Sequence, residues 1–267
     1  DGAGAGSRGN YVLNVFTAPA PAYDACAGAL DISAGGSFVG STSFAGDDHL
    51  PSCFGVTPGA GDLFYTFTLA AQSIVYLDTV DGASWNPVLP LRSGSCVGGV
   101  LSCTNDSCGG LRSQYYGVLA AGTYWVVVDG TAADQRGNVT LFAQFVPVAP
   151  CGPPVPSAMA FNGTWFIDTT GDVDDLTPSC QAMDSNDQVY YLPACGPRTI
   201  TLDSCTPAVA GETLGDTILY VRTGRCTAAD LACSDDVPAC AIRPGRESVT
   251  ANIPKGLSFF IADGQFA

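Results

Sequence analysis

The sequence predicts an all-β protein built from tandem antiparallel β-sandwich domains, jelly-roll- or Ig-like, stapled by disulfides. Three observations lead there. Apolar and polar residues alternate in DLFYTFTL (62–69), SIVYLDT (73–79), TYWVVVD (123–129) and NVTLFAQFV (138–146), the two-residue period of a strand with one buried face. The runs are punctuated by 32 Gly and 18 Pro, and no apolar stripe persists at helical spacing, which suits many short strands joined by turns. Twelve cysteines in 267 residues indicate an oxidising compartment and a cross-linked fold.

The strands fall into repeats. Asp1-Gly2 is matched by Asp129-Gly130 and Arg8-Gly9-Asn10 by Arg136-Gly137-Asn138, both pairs 128 residues apart. GDDHLPSC (46–53) answers DVDDLTPSC (172–180), GDLFYTF (61–67) answers NDQVYYL (186–192), and YLDT (76–79) answers TLDS (201–204). VLPLRSGSC (88–96) answers ILYVRTGRC (218–226), LSCTNDSC (101–108) answers LACSDDVPAC (231–240), and AAGTYWVVVDG (120–130) answers PKGLSFFIADG (254–264). A period this regular marks a repeat architecture. Residues 1–20 read as the final strand of a preceding repeat plus a linker, 21–147 as a complete sandwich, and 148–267 as a second sandwich lacking its last strand. The Pro-rich stretches FTAPAPAYDAC (16–26) and FVPVAPCGPPVP (145–156) read as semi-rigid extended spacers, so the sandwiches are expected in series along a rod.

These units resemble the pre-peptidase C-terminal (PPC-like) β-sandwich repeats of large secreted and surface proteins. The residues that carry the resemblance are Ser52-Cys53 and Ser179-Cys180, GDLFYTF, DTILYVRTGRC, LACSDDVPAC and AAGTYWVVVDG with the following RGNVTL. Val80 departs from the pattern, standing where family members often carry a cysteine opposite Cys205. The resemblance implies a sandwich fold and a role as spacer, surface-array unit or accessory domain beside a protease. It implies no chemistry, because a fold hosts many functions.

Cys26, Cys53, Cys96, Cys103 and Cys108 correspond to Cys151, Cys180, Cys226, Cys233 and Cys240, and the second copy adds Cys195 and Cys205. One histidine and no C-x-x-C leave little for zinc. The expected bridges are Cys26–Cys53 and Cys151–Cys180 from the entering segment to the first sheet, Cys96–Cys103 and Cys226–Cys233 within hairpins, and Cys205–Cys240 between neighbouring loops. Cys108 and Cys195 then either bond across the copies, or Cys195 pairs with Cys205 and leaves Cys108 and Cys240 free or bonded to another chain.

A formal net charge of -15, with a single lysine, Lys255, repels nucleic acid and anionic membranes, and no apolar run approaches the ~20 residues of a membrane helix. The sequons at Asn105, Asn138 and Asn162 are glycosylation candidates. His49, the one histidine, lies in a polar turn, and no G-x-S-x-G accompanies it. No catalytic residue, metal site or cofactor is assigned. GAGSRG (4–9) precedes a strand and opens no helix, unlike a dinucleotide loop. Asp47, Asp48, Asp172, Asp174 and Asp175, with Asp106, Asp235 and Asp236, read as turn formers at strand ends, with calcium as the alternative because collagen-binding relatives hold it. Trp85, Trp125 and Trp165 read as packing residues, Trp85 being the one placed for exposure.

RGNYVLNVF (8–16) alternates like a strand but has nothing of its own to pair with. Asn10, Tyr11, Val12, Leu13, Val15 and Phe16 are therefore candidates to complete another sandwich by strand addition; the simpler reading, and the favoured one, is a window of one long multi-repeat polypeptide whose neighbouring repeats supply the strands covalently. The expected partners are copies of this chain or its own neighbouring repeats, and glycans. The expected function is a non-enzymatic structural repeat of an extracellular filament, surface hair or adhesin stalk, linked head to tail either covalently or by strand complementation. The alternative is an accessory protein- or polysaccharide-binding module of a secreted hydrolase.

Overall fold

A computed structural model describes residues 9–10, 12–13, 15, 18–49, 53, 55–181, 185–205, 216–236 and 245–265. The strands are β1 (Leu30–Asp31), β2 (Gly36–Ser41), β3 (Leu63–Leu69), β4 (Ser73–Asp78), β5 (Pro87–Ser93), β6 (Val100–Thr104), β7 (Gln114–Leu119), β8 (Gly122–Gly130) and β9 (Asn138–Pro147). There follow β10 (Ser157–Ala158), β11 (Asp187–Ala194), β12 (Arg198–Asp203), β13 (Asp216–Thr223), β14 (Asp230–Ser234), β15 (Ser248–Ile253) and β16 (Gly256–Gln265). The only helical pieces among the described residues are 3-10 turns at Cys26–Gly28 and Ala149–Cys151.

Four sheets result. Sheet one is β1-β3-β8-β5-β6, sheet two β2-β9-β4-β7, sheet three β10-β11-β16-β13-β14 and sheet four β12-β15. Sheets one and three share a strand order, each beginning with a short strand parallel to its neighbour, with the other pairings antiparallel.

Alternation explains how the sheets stack. Leu63, Tyr65 and Phe67 of β3 and Val126 and Val128 of β8 meet Val75, Leu77, Val139, Leu141 and Ala143 of sheet two in a first core. The intervening Ile74, Tyr76 and Val146 point out of the other face of sheet two and meet Val189, Tyr191, Ile218, Tyr220, Phe259 and Ile261 of sheet three in a second core. Leu192, Leu219, Val221 and Phe260, on the far face of sheet three, meet Ile200, Val249, Ala251 and Ile253 of sheet four in a third. The molecule is a stack of four sheets around three apolar layers.

The central layer corrects the expectation of a spacer. Residues 145–147 belong to β9, Val148 and Cys151 are buried in the second core, and Cys151 is bonded to Cys226. Polar contacts lock the same joint. Tyr76 Oη donates to the Ala194 carbonyl at 2.8 Å, Gln144 Nε2 donates to the Gly224 carbonyl at 2.9 Å, and the Leu257 N–H donates to Gln144 Oε1 at 2.9 Å. Lys255 lies over the Phe142 ring and pairs with Asp78 and Asp81. Composition alone reads the stretch as linker because proline is common in extended chain, but an apolar face left open on each sandwich makes burial the lower free-energy outcome.

The disulfides are Cys26–Cys96, Cys53–Cys103, Cys108–Cys195, Cys151–Cys226 and Cys180–Cys233. Cys26–Cys53, Cys151–Cys180 and the two hairpin bridges are therefore wrong, for a reason of strand register. Cys103 sits on β6 opposite Pro90 of β5, whereas Cys96 lies past the end of β5, at the turn, so the two never face each other. The two ends of the hairpin instead each pin a different covering segment onto the outer face of sheet one. Cys108–Cys195 joins the two sandwiches. Cys205 is disulfide-bonded, and Cys240, its expected partner, lies outside the described residues.

Because Phe259 is fully buried in the central layer, Phe259→Ala is expected to cost about 3–5 kcal/mol. Guanidinium unfolding of the oxidised chain, followed by tryptophan emission, measures the loss.

Candidate functional site

The most incomplete place in the structure is the free edge of β12. In sheet two the equivalent strand, β4, is paired on both sides, with β7 and with β9, and all six of its residues are buried. β12 pairs only with β15. Its burial alternates, with Arg198, Thr199 and Thr201 exposed. Core residues beneath the open edge are correspondingly less covered. Ile200 keeps 8% exposure where its counterpart Val75 keeps 0%, and Leu202 is half-buried where Leu77 is 0% exposed.

Residues 163–168 border the same gap. Gly163-Thr164-Trp165-Phe166-Ile167-Asp168 is the counterpart of β2, which pairs only with β9, and here it forms no strand. Trp165 and Phe166 are 40% and 62% exposed, while Ile167 packs partly against the third core. A strand needs a neighbour to satisfy its N–H and C=O groups, and neither β12 nor 163–168 has one on the facing side among the described residues. In sheet two the equivalent elements, β2 and β4, are separated by one strand, β9.

The chain holds a segment of the right pattern. Val12, Leu13 and Val15 are 85%, 73% and 74% exposed, and with Asn10 they lie outside every sheet. Tyr11 and Phe16 lie outside the described residues. Arg8-Gly9-Asn10 repeats Arg136-Gly137-Asn138, whose last residue opens β9.

A second feature was not anticipated from the sequence: a buried carboxyl pair in each sandwich. Asp62, 0% exposed, accepts the N–H groups of Asp48 at 2.7 Å and His49 at 2.6 Å, and it adjoins Asp129, 1% exposed, at the end of β8. Asp187 accepts the N–H groups of Asp175 at 3.0 Å and Leu176 at 2.7 Å and the Tyr220 hydroxyl at 2.9 Å, close to Asp263, which takes the Ser185 hydroxyl. Burial, then the charge of Asp129 and the hydrogen bond it shares with Asp62, push the Asp62 carboxyl well above the ordinary carboxylate range. Burial likewise raises Asp129. Burial raises Asp187 to about 6 and Asp263 to about 7. Neighbouring buried carboxylates disfavour each other's ionisation, so each pair takes up a proton at a higher pH than an exposed carboxylate would. The signal in the sequence was an aspartate directly abutting an apolar strand, in GDLFYTF and VVVDG.

His49 is 7% exposed, not in an open polar turn. Burial, then the neighbouring Arg92, lower its pKa, and neutral Nε2 accepts from Arg92 Nη2 at 2.8 Å. Donor atoms of His49, Asp62 and Asp129 lie within 4.8 Å of one another, as do those of Asp216, Asp235, Asp236 and Glu247. In the first group the Arg92 guanidinium already occupies the histidine's free nitrogen. Trp85 is buried at 6%, its Nε1 donating to the Asn138 carbonyl at 2.9 Å, so the exposed tryptophan is Trp165. Asn138 and Asn162 are exposed and Asn105 is half-buried. Among the described residues no helix is long and apolar enough to cross a membrane.

No protein-family model matches the chain, and no curated protein does. Among solved structures, the pre-peptidase C-terminal domain of a collagenase from Bacillus anthracis is similar at 16% identity and a TM-score of 0.32, over 48% of this chain and 100% of that one. A cycloisomaltooligosaccharide glucanotransferase from Paenibacillus sp., complexed with cycloisomaltoheptaose, is similar at 10% identity and a TM-score of 0.23, over 85% of this chain and 45% of that one. At such scores neither neighbour bears on chemistry or partners.

The carboxyl pairs set a pH dependence. Their folded-state pKa values lie above the unfolded value, so the folded state binds more protons and their contribution is complete below about pH 4. It is lost as the pH rises through 6 and 7, the folded values of Asp187 and Asp263. His49 acts in the opposite sense, its lowered pKa removing stability as the pH falls below its unfolded value near 6.5. Denaturant unfolding is expected to show stability falling from pH 6.5 to 8.5. Asp62→Asn, which keeps an acceptor for both N–H groups and can donate to Asp129, should flatten that fall.

Proposed function

We propose that this chain is a non-enzymatic structural unit of an extracellular linear assembly, a filament, surface hair or adhesin stalk, joined head to tail. The observation that carries this reading is the open edge of β12 in a chain that also holds an exposed, unpaired, strand-patterned segment. One contact of that kind uses two different surfaces, so it propagates without closing. The repeated strand order of sheets one and three and the face-to-face stacking of the two sandwiches supply the geometry, each unit being a slab with a front and a back.

An extracellular setting is supported by the disulfides, which cross-link both sandwiches and join them. The PPC-like motifs fit a module of a secreted protein. A structural role is supported by His49, whose imidazole is buried and engaged by Arg92 rather than set beside a nucleophile. The formal net charge of -15 makes units repel, so assembly should strengthen as salt screens them.

The oxidised chain is expected to form concentration-dependent linear oligomers, visible by negative-stain electron microscopy and sedimentation, and to return to single chains in denaturant without reductant. A chain that sediments as a monomer at every concentration and salt level overturns the reading.

A further inference from the structure

We propose that the gap between β12 and 163–168 is filled by residues 8–17 of a second copy, running antiparallel to β12 with Val15 opposite Leu202 and Leu13 opposite Trp165. This rests on the head-to-tail reading and names its partner and register. The register follows from β9, which lies between β2 and β4 with Ala143 opposite Leu77 and Leu141 opposite Phe38. Matching Arg8-Gly9-Asn10 to Arg136-Gly137-Asn138 sets Leu13 on Leu141 and Val15 on Ala143. Matching YLDT to TLDS sets Leu202 on Leu77. Phe38 and Trp165 are equidistant from Asp48 and Asp175, whose N–H groups make the same bond in each sandwich.

The alternation then agrees with the environment. Leu141 and Ala143 face the first core, so Leu13 and Val15 face the third, over half-covered Leu202 and Ile200. β12 gains backbone partners along its free edge, the mode of recognition by strand addition.

A copy cannot satisfy itself in this way. Cys26 is fixed to Cys96 on the outer face of sheet one, beside Phe64 and Val127. From there to Phe16 the chain reaches about 36 Å at full extension. Sheet four lies three sheet spacings away, about 35 Å straight through the protein with the outer offset added and farther around its side. Residues 8–17 of the same molecule therefore do not reach the gap, and those of a second copy do.

The test uses the full oxidised chain with two substitutions. Leu13→Asp spoils the strand and leaves the gap intact; Leu202→Glu spoils the gap and leaves the strand intact. Each alone is expected to remain monomeric, and their mixture to stop at one-to-one dimers, because only one productive contact is left between them. Should Leu202→Glu misfold, a labelled peptide of residues 8–19 added to the Leu13→Asp chain gives a second readout. It should bind saturably and shift the emission of Trp165 to shorter wavelength, a shift absent in Trp165→Phe, and a Leu13→Asp peptide should bind more than about 100-fold more weakly, since a carboxylate would enter an apolar layer. Linear assembly by Leu13→Asp chains as in the wild type overturns this assignment and leaves the head-to-tail reading standing. Peptide binding to a wild-type chain that never assembles does the reverse. Absence of both peptide binding and mixed dimers overturns the assignment.

Discussion

The structure depends on one strand that serves two cores at once. β9 hydrogen-bonds β2 on one edge and β4 on the other. Its inward residues, Val139, Leu141 and Ala143, close the first core, while Phe142 and Val146 on its other face belong to the second. The joint between the sandwiches is thus made by the strand that completes the first of them. Among the described residues sheet four has two strands where sheet two has four, residues 163–168 form no ladder, and Leu202 is half-buried.

The faces that do and do not find a partner differ in chemistry. At the buried joint, sheet two offers Ile74 and Tyr76, and sheet three offers Tyr191, Leu257 and Phe259. The positions equivalent to these on the two outer faces are Thr199 and Thr201 on sheet four and Thr66, Thr123 and Trp125 on sheet one. Thr201 and Thr250 pair across the strands at 2.9 Å, as do Thr68 and Thr123 at 3.0 Å. An internal joint never meets water and can be apolar. Outer faces exposed in a free chain must be polar, or the chain would aggregate through its faces in any orientation.

Much of the fold was legible because strands with one wet face write their period directly into sequence. DLFYTFTL and NVTLFAQFV behave as that period says. What escaped was information held between elements. The bridge partners depended on which face of β6 Cys103 occupies, a fact of register, not spacing. The joint at 145–156 was composed like a linker, yet the clue lay upstream, in Ile74-Val75-Tyr76-Leu77, where four consecutive apolar residues mark a strand buried on both faces. Its counterpart Thr199-Ile200-Thr201-Leu202 alternates and is buried on one. The one-sided pairing of β12 among the described residues fits that same alternation.

The carboxyl pairs sharpen the distinction between architecture and chemistry. In both sandwiches a buried aspartate at the head of the third or eleventh strand takes two consecutive N–H groups from the Asp-Asp turn, with a second buried aspartate beside it. The surroundings are not shared. Arg92 donates to His49 and to the Gly98 carbonyl, whereas Arg222 pairs with Asp230 at 2.6 Å and donates to the Thr177 and Cys226 carbonyls. A backbone-anchoring site requires only buried carboxyl oxygens that accept the turn's N–H groups, and those are what the two sandwiches have in common. The turn so anchored leads to Cys53 in one sandwich and Cys180 in the other, each bonded across to the sixth or fourteenth strand. The acids therefore hold down the covering loop from below while the disulfide ties its far end.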